Sequence, residues 1–320
     1  MTSPKNAQSS LVYPPPLKAG GTIGIVSPAR WSKPDWLVKG KAFLEARGYQ
    51  VVIHAQNYLK DGQLAGHDAA RAEAIMDMFA DATIDAIFCA RGGTGSMRLL
   101  DKLDYRFIKQ NPKPFVGFSD ITALLQAISA QCGFVTFHGP MFWNFAHDYD
   151  ERMSEDLFQI IGTKNARVNL KFPEAETVRA GTAKARITGG NLALLQSLVG
   201  TPYDWSGKDV ILFIEDVDEV LYRLDRELNH LRLAGKFEGV RAVIVGEMVD
   251  IGDGETGFMR AGEQPYGSDL KQIFVRHLPP EVPICFNFPC GHGRYLTTLP
   301  IGSCGELTLS DNGAELTIIR

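Results

Sequence analysis

The chain has 320 residues, 45% hydrophobic and 22% charged, which is typical of a globular protein of about two domains. Its 33 basic and 37 acidic side chains give a formal net charge of −4, whereas general nucleic-acid and membrane-surface binders carry a basic excess. No apolar run reaches the roughly 18 residues of a transmembrane helix, and no signal-peptide core follows the polar residues 1–10. The cysteines are odd in number and sparse, which favours reduced thiols. We therefore expect a cytoplasmic protein that binds neither nucleic acid nor membrane.

Short apolar runs alternate with amphipathic segments through the first 140 residues. The predicted strands are Thr22–Val26, Gln50–His54, Ala86–Cys89, Phe115–Phe118 and Phe134–Phe137. The predicted helices are Pro34–Arg47, Arg71–Ala82, one marked by Met97, Leu100 and Leu103, and one marked by Ile121, Leu124, Leu125 and Ile128. Continuously apolar strands with short crossovers predict a doubly wound parallel α/β domain, flavodoxin-like or amidotransferase-like, over residues 18–145.

The pattern changes after residue 145. Residues 146–185 are polar, and we interpret them as an irregular connection between two domains. Residues 186–320 predict a smaller, mixed α/β domain. Its predicted elements are a helix from Gly189 through Leu198, strands Val210–Ile214 and Ala242–Val245, a helix Glu219–Leu233, and a hairpin around Asn312-Gly313.

The segment Gly117–Ile121 joins a buried strand directly to an amphipathic helix. It predicts a Ser119 hydroxyl at the carboxyl edge of a parallel sheet, where ligands usually bind and where the N-terminus of a helix favours an oxyanion. The arrangement imitates a nucleophile elbow, although Ile121 replaces the second glycine of G-x-S-x-G. The alternative is that Ser119 only caps the helix, as serines often do.

A second turn between a strand and a helix, Ala90–Ser96, includes Gly92 and Gly93 and allows a ligand to approach the backbone closely. It lacks the sequence of a P-loop and the spacing of G-x-G-x-x-G. We interpret it either as the second wall of the crevice at Ser119 or as a tight turn. Arg91 in this turn is a candidate for binding a substrate carboxylate or for covering the edge of the sheet.

Candidates for an acid and a base lie further along the chain. Glu215 ends a predicted strand, and the acidic residues after it, Asp216 first, suit the first turn of the next helix. His292 is flanked by glycines, which predicts an accessible ring. His138, at a strand end, is a second candidate for the crevice, with a structural role as the alternative.

A metal site and a nucleophile site are both conceivable for these residue types. Cys285, Cys290 and His292 lack zinc-finger spacing and a fourth ligand, so we predict no metal. A serine nucleophile needs a base, and the base needs an orienting acceptor. Ser119, His292 and Glu215 could supply these roles, but spacing alone leaves open whether they meet.

Several motifs occur in a fixed order over about Lys18–Ile301. They are Ala90-Arg91-Gly92-Gly93-x-Gly95, Gly117-Phe118-Ser119-Asp120-Ile121-Thr122, Phe137-His138-Gly139-Pro140-Met141, Gly189-Gly190-Asn191-Leu192, Phe213-Ile214-Glu215-Asp216 and Gly291-His292. In this order the chain resembles the LD-carboxypeptidases, also called murein tetrapeptide carboxypeptidases. The resemblance implies two domains with the active site in the cleft between them. It also implies release of a terminal D-alanine from cytoplasmic muropeptides, with no metal or organic cofactor.

The same resemblance implies roles for individual residues. Ser119 would be the nucleophile, His292 the general base and acid, and Glu215 the carboxylate that orients the imidazole. Backbone N–H groups of Asp120 and of the Gly92-Gly93 turn would form the oxyanion hole. A murein peptide is the expected partner, and a homodimer is one expectation for the assembly.

One departure from the family pattern concerns Thr94, which stands where an aromatic residue is common. It bears on the shape of the substrate pocket. The related microcin C self-immunity peptidases share the Ser-Glu-His arrangement and cleave an amide next to an aminoacyl nucleotide, so they are the alternative enzyme class. Trp143 and Phe145 are candidates for an aromatic platform under a base, or for packing.

Two further interpretations follow from the same residues. A peptidase of this class must bind a free terminal carboxylate, and Arg91 or Arg294 would suit that task. A non-catalytic α/β binding protein, in which Ser119 only caps a helix, is the alternative of another class.

Overall fold

The computed structural model describes residues 11–147, 150–164, 167–252 and 266–320. Residues 1–10, and with them the expectation that no signal peptide is present, lie outside the described residues. Within the described ranges, no helix is both long enough and apolar enough to cross a bilayer.

The first sheet is built mainly from the N-terminal part of the chain. Its parallel strands are β1 (Thr22–Val26), β2 (Gln50–Ile53), β3 (Ala86–Cys89), β4 (Phe115–Gly117) and β5 (Thr136–His138). The helices here are α1 (Pro34–Ala46), α2 (Asp68–Ala80), α3 (Tyr105–Gln110), α4 (Thr122–Cys132) and α5 (Phe142–Phe145). The strand order β2-β1-β3-β4-β5 is doubly wound, as the sequence predicts.

A second sheet is built from the rest of the chain. Its elements begin with α6 (Glu151–Gly162), β6 (Arg167–Phe172), β7 (Glu176–Arg179), β8 (Gly181–Asn191), α7 (Leu192–Ser197) and β9 (Val210–Val217). They continue with α8 (Leu221–Leu233), β10 (Val240–Val249), α9 (Leu270–His277), β11 (Ile284–Phe288), β12 (Leu299–Ile301), β13 (Cys304–Ser310) and β14 (Gly313–Ile319). The order is β6-β14-β13-β8-β9-β10-β11-β7, with β8 to β11 parallel and the remaining pairs antiparallel. β12 leaves this sheet and pairs antiparallel with β5 of the first.

The stretch 146–185 is not the irregular connection that its polarity predicts. It contains α6, β6, β7 and the start of β8. In β6 the buried residues alternate with exposed ones, so one face of the strand joins the core while the other meets water. These strands make the second sheet the larger one, with eight strands against six.

Two other local predictions differ from the structure. The segment marked by Met97 and Leu100 is a 3-10 helix, Ser96–Lys102. The helix expected from Gly189 begins at Leu192, because Gly189 still belongs to β8, where a Cβ would lie 1.9 Å from the Phe213 carbonyl oxygen. The C-terminal hairpin is confirmed, with Ser310 paired to Gly313 across its turn.

The two sheets meet where the end of β8 packs against α4. The backbone N–H of Asn191 donates to Thr122 Oγ1 over 3.1 Å, and Gln126 Nε2 donates to the Gly189 carbonyl over 2.7 Å. A Cβ on Gly190 would lie 2.5 Å from Thr122 Cγ2, so only glycine permits this approach. The helix that follows Ser119 is thereby fixed against the strand adjacent to the one that carries Glu215.

Candidate active site

Ser119 lies at the sharp turn between β4 and α4. Its φ is +60°, a left-handed conformation that is uncommon for a residue other than glycine and that concentrates at functional sites. A Cβ on Gly92 would lie only 3.3 Å from Ser119 Oγ, so the neighbouring turn approaches the hydroxyl closely. Ser119 does not cap α4, because the N-cap residue is Ile121 and the hydroxyl faces an imidazole instead.

That imidazole belongs to His292, whose Nε2 lies 3.1 Å from Ser119 Oγ and whose Nδ1 lies 2.6 Å from Glu215 Oε2. An ionised carboxylate only accepts hydrogen bonds, so Nδ1 carries the hydrogen that is donated to Glu215. In the neutral ring Nε2 is then an acceptor for the Ser119 hydroxyl. The three side chains form one hydrogen-bonded chain in which a proton can pass from Ser119 to His292.

Burial and neighbouring charges control the protonation of the three hydrogen-bonded side chains. Glu215 lies in the buried part of β9 and is itself fully buried, while 19% of the His292 side chain is exposed. Burial of His292 favours the neutral ring, but the charge and hydrogen bond of Glu215, with smaller effects of Asp216 and Glu247, leave the pKa of His292 above its ordinary value. The carboxylate therefore stabilises the imidazolium that proton transfer would create.

The glycines on either side of His292 are needed for close packing against Glu247 on β10. A Cβ on Gly291 would lie 2.3 Å from the Glu247 carbonyl oxygen, and one on Gly293 would lie 2.4 Å from Glu247 Oε1. The Gly291 N–H donates to Glu247 Oε2 over 2.9 Å. Burial raises the pKa of Glu247, which the Gly291 hydrogen bond opposes. Glu247 was not predicted as a site residue, since nothing in its own strand pattern distinguishes it.

His138, a candidate for the crevice at Ser119, lies in the protein interior instead. It is fully buried at the end of β5, with its ring between those of Phe118 and Phe213. Its Nε2 lies 2.8 Å from the carbonyl oxygen of Cys290. His138 therefore contacts the loop that carries His292, and a fully buried ring offers no surface to a substrate.

The two glycine-containing turns converge beside Ser119. The backbone nitrogen of Asp120 lies 3.5 Å from the position of a Cβ on Gly92. The Asp120 side chain is turned away and accepts from the Ser96 N–H over 2.9 Å, so it holds the Gly92-Gly93 turn in place. Burial raises the pKa of Asp120, an effect that its hydrogen bonds to Ser96 oppose.

Arg91 and Trp143 both contact an aromatic cluster beside this turn. The backbone N–H of Trp143 donates to the Ala90 carbonyl over 2.8 Å. The half-buried Trp143 ring stacks on that of His147, with centroids 4.2 Å apart. Trp36 meets both rings edge-on. The guanidinium carbon of Arg91 lies 5.4 Å from the centroid of Trp36.

Two other candidates lie elsewhere. Phe145 is buried and stacks on Phe43 with centroids 4.8 Å apart, so it packs in the core and provides no platform. Arg294 is exposed on the loop after His292. The pKa of Asp150 is lowered chiefly by its hydrogen bond to Arg152, with a smaller contribution from Arg294, which places Arg294 near the start of α6.

Two charged residues near the site were missed or misplaced by sequence analysis. Asp216 does not begin α8; it accepts from Asn191 Nδ2 over 2.8 Å and from the Ala193 N–H over 3.0 Å, at the N-terminus of α7. Burial and the neighbouring Glu215 raise its pKa to about 7. Arg71 is fully buried under the loops after β1 and β3, a position that an amphipathic helix pattern does not reveal.

The cysteines near the site are buried thiols. Cys285 and Cys290 are fully buried, and burial raises the pKa of Cys285 to about 12 and also raises that of Cys290 well above its ordinary value. Over the described ranges, no three His, Cys, Asp or Glu side chains are grouped as metal ligands.

Comparison with known proteins identifies the family. The sequence matches the LD-carboxypeptidase N-terminal domain over residues 23–139 and the LD-carboxypeptidase C-terminal domain over residues 184–307. A probable murein peptide carboxypeptidase of Bacillus subtilis is 38% identical over 74% of this chain and 75% of its own. The microcin C7 self-immunity protein MccF of Escherichia coli is 27% identical over 92% of each chain.

Among solved structures, the muramoyltetrapeptide carboxypeptidase from Oxalobacter formigenes superimposes with a TM-score of 0.79. It is 25% identical, and the match covers 93% of this chain and 99% of that one. Both halves of the family are thus matched in order, over most of the chain and in three dimensions. The chain belongs to the LD-carboxypeptidase family.

Proposed function

We propose that the chain is a serine carboxypeptidase that hydrolyses the L,D-amide bond before the terminal D-alanine of murein tetrapeptides. The observation that carries the proposal is the hydrogen-bonded chain from Ser119 through His292 to the buried Glu215. Membership of the LD-carboxypeptidase family and the likeness to a murein peptide carboxypeptidase support the substrate class. Cytoplasmic muropeptides released from the cell wall are the proposed source of this substrate.

In the proposed first half-reaction, Ser119 Oγ attacks the carbonyl carbon of the L-residue and its proton passes to His292 Nε2. Glu215 stabilises the imidazolium, and the N–H groups of Asp120 and of the Gly92-Gly93 turn donate to the oxyanion. The C–N bond then breaks, His292 returns the proton to the leaving amine, and D-alanine departs. An ester between Ser119 and the shortened peptide remains.

In the second half-reaction, water attacks this ester. His292 accepts a proton from the water as the new C–O bond forms, and donates it to Ser119 Oγ as the ester bond breaks. The products are the tripeptide and free enzyme. No further reactant is needed.

The test is a hydrolysis screen over murein tri-, tetra- and pentapeptides, with product masses as the readout. We expect the tetrapeptide to lose one D-alanine and the pentapeptide to react much more slowly, because an added residue moves the scissile carbonyl away from Ser119. A tetrapeptide that stays intact would contradict the proposal, and Ser119→Ala controls for a contaminating peptidase.

A second candidate function is cleavage of an amide next to an aminoacyl nucleotide. The stacked rings of Trp143 and His147, beside the Ala90 carbonyl, offer a flat surface on which a base could stack. The likeness to MccF is consistent with this activity. Rapid cleavage of an aminoacyl sulfamoyl adenosine, with the tetrapeptide left intact, would favour it.

The reactivity of Ser119 distinguishes a non-catalytic binding protein from either enzyme. An activated serine reacts with a fluorophosphonate probe, and the label would be located on Ser119 by peptide mass mapping. Failure to label at any pH would favour the binding protein over both enzymes.

A further inference from the structure

Arg30 lies on the loop after β1, directly against the Gly92-Gly93 turn. A Cβ on Gly93 would lie 2.4 Å from Arg30 Cδ and 2.9 Å from its Nε, so the side chain runs over the face of this glycine. The Arg30 N–H also donates to the Gly92 carbonyl over 3.4 Å. Arg30 thus contacts Gly93, and the preceding residue, Gly92, approaches Ser119.

The loops that carry Arg30 and Arg91 follow β1 and β3, which are neighbours in the first sheet. The chain passes from β1 to β2 on one side and returns to β3 on the other, so these loops flank the point where the strand order reverses. Ligands of doubly wound sheets bind in the crevice at this point, beyond the carboxyl ends of the strands.

Both arginines leave positive charge unneutralised at this crevice. Burial lowers the pKa of Arg91, and the nearby charge of Arg30 lowers it further, so the two guanidinium groups repel each other. In the parts of the chain that the structure describes, neither Arg30 nor Arg91 forms an ion pair with a carboxylate, whereas several other arginines do. Arg30 Nε is buried without a hydrogen-bond partner, and Arg91 Nη1 reaches only the Trp31 carbonyl, at 3.5 Å.

The two loops are held together from below by Arg71. Its Nη1 donates to the Pro28 carbonyl and, over 2.9 Å, to the Gly95 carbonyl. Asp68 forms an ion pair with Arg71 and neutralises its charge, whereas Arg30 and Arg91 have no such partner among the described residues. The backbones of the loops that carry Arg30 and Arg91 are therefore held together in advance, which reduces the entropy lost when these loops bind a ligand.

We propose that Arg30, together with Arg91, binds the terminal carboxylate of the substrate and so determines that the enzyme removes a single C-terminal residue. The order of the contacts supports this assignment. Gly92 approaches Ser119, and the next residue, Gly93, approaches Arg30. A terminal carboxylate likewise lies one residue, roughly 3.5 Å, beyond the scissile carbonyl. The assignment rests on the proposed carboxypeptidase function.

The test compares the murein tetrapeptide with the same peptide ending in D-alaninamide, which lacks the terminal charge. Charged hydrogen bonds of this kind change a rate or affinity by roughly 10- to 100-fold. We expect the wild-type enzyme to prefer the free acid by that factor in kcat/KM. Arg30→Gln should remove most of this preference by slowing cleavage of the acid, with cleavage of the amide little changed. Arg30→Lys should retain part of it.

Arg167→Gln is the matched control, since it removes one exposed positive charge from β6 at the far edge of the second sheet. It should keep the preference of the wild type. An Arg30→Gln enzyme that folds and still prefers the acid as strongly as the wild type would overturn the assignment.

A binding measurement separates failure of this inference from failure of the proposed function. Both peptides are titrated by calorimetry into Ser119→Ala and into Ser119→Ala/Arg30→Gln. If Ser119→Ala binds the acid selectively through Arg30 while the wild-type protein cleaves neither peptide, the carboxylate site is sustained and the carboxypeptidase is refuted. Equal affinity for acid and amide, or binding of neither, would overturn the carboxylate site.

Discussion

His138 Nε2 lies 2.8 Å from the carbonyl oxygen of Cys290, two residues before His292. Burial lowers the pKa of His138, which the charge of Glu215 opposes, so the ring is neutral and its Nε2–H donates to this carbonyl. A strand of the first sheet thereby positions the loop that carries the proposed base. His138 is a positioning residue, since it touches neither Ser119 nor a substrate.

Replacing His138 should separate positioning from stability. His138→Leu leaves the buried Cys290 carbonyl without its donor, at a cost of about 1–3 kcal/mol. We expect kcat to fall roughly 10- to 100-fold with KM little changed, since misplacement of a base affects the chemical step. His138→Gln, which can still donate, should recover part of the loss. If the folded His138→Leu enzyme keeps its kcat and only its melting temperature falls, the role of His138 is structural alone.

Variants of the hydrogen-bonded chain test the proposed catalytic roles. Ser119→Ala and His292→Ala should each lower kcat by at least about 10³-fold, and the double variant should be no worse than either, because the residues act as a unit. Glu215→Gln should also be strongly impaired, since an amide cannot stabilise the imidazolium as a carboxylate does. Steady-state kinetics and melting curves measure both effects. Near wild-type turnover by Ser119→Ala would exclude the serine mechanism.

The pH dependence follows from the raised pKa of His292. The ring must be neutral to accept the serine proton, so kcat/KM should fall as the pH drops through this pKa. Because Glu215 holds the pKa of His292 above its ordinary value, the acid limb should lie above about pH 6.5. Glu215→Gln removes that charge and should move the limb to lower pH while lowering the plateau. A limb that stays in place would show that another group controls it.

Gly291→Ala tests the packing of the His292 loop. The new Cβ would meet the Glu247 carbonyl oxygen at 2.3 Å, so the backbone must move and displace His292. We expect at least a roughly tenfold loss of kcat, because a displaced base slows the chemical step. Gly162→Ala, at the end of α6, is the control, because Gly162 has no positive φ and the nearest atom to its Cβ would be the Leu17 carbonyl oxygen, at 3.2 Å. The rate of fluorophosphonate labelling of Ser119 should follow the same order.

The parts of the site that depend on local pattern were accessible from the sequence. A buried strand followed at once by an amphipathic helix predicts the turn at Ser119. His292 is 173 positions away, and no periodicity encodes such a contact, so only the family resemblance suggested that these residues meet. Glu247 and Arg71 could not be found in this way. Each looks like an ordinary charged residue of a strand or a helix, and its neighbours become visible only in three dimensions.

The fold was predictable to a similar extent. Apolar runs indicated β1 and β3 at their observed bounds, because strands buried on both faces are continuously hydrophobic. β6 was missed although Val168, Leu170 and Phe172 alternate with polar residues, since its net polarity outweighed its period of two.

The loop of His292 is fastened at both of its ends, by β11 before it and by the short strand β12 after it. The loop leaves β11 in the second sheet and enters β12, which pairs with β5 in the first, so Leu299 lies opposite His138. The distance between Ser119 and His292 is thus set by strand pairing in both sheets, β11 in the second and β12 with β5 in the first. A fragment that ends before residue 299 would lack the edge strand of its first sheet as well as the anchor of its base. The two halves are consequently a single working unit, and mixing them as separate polypeptides should not restore a reactive Ser119.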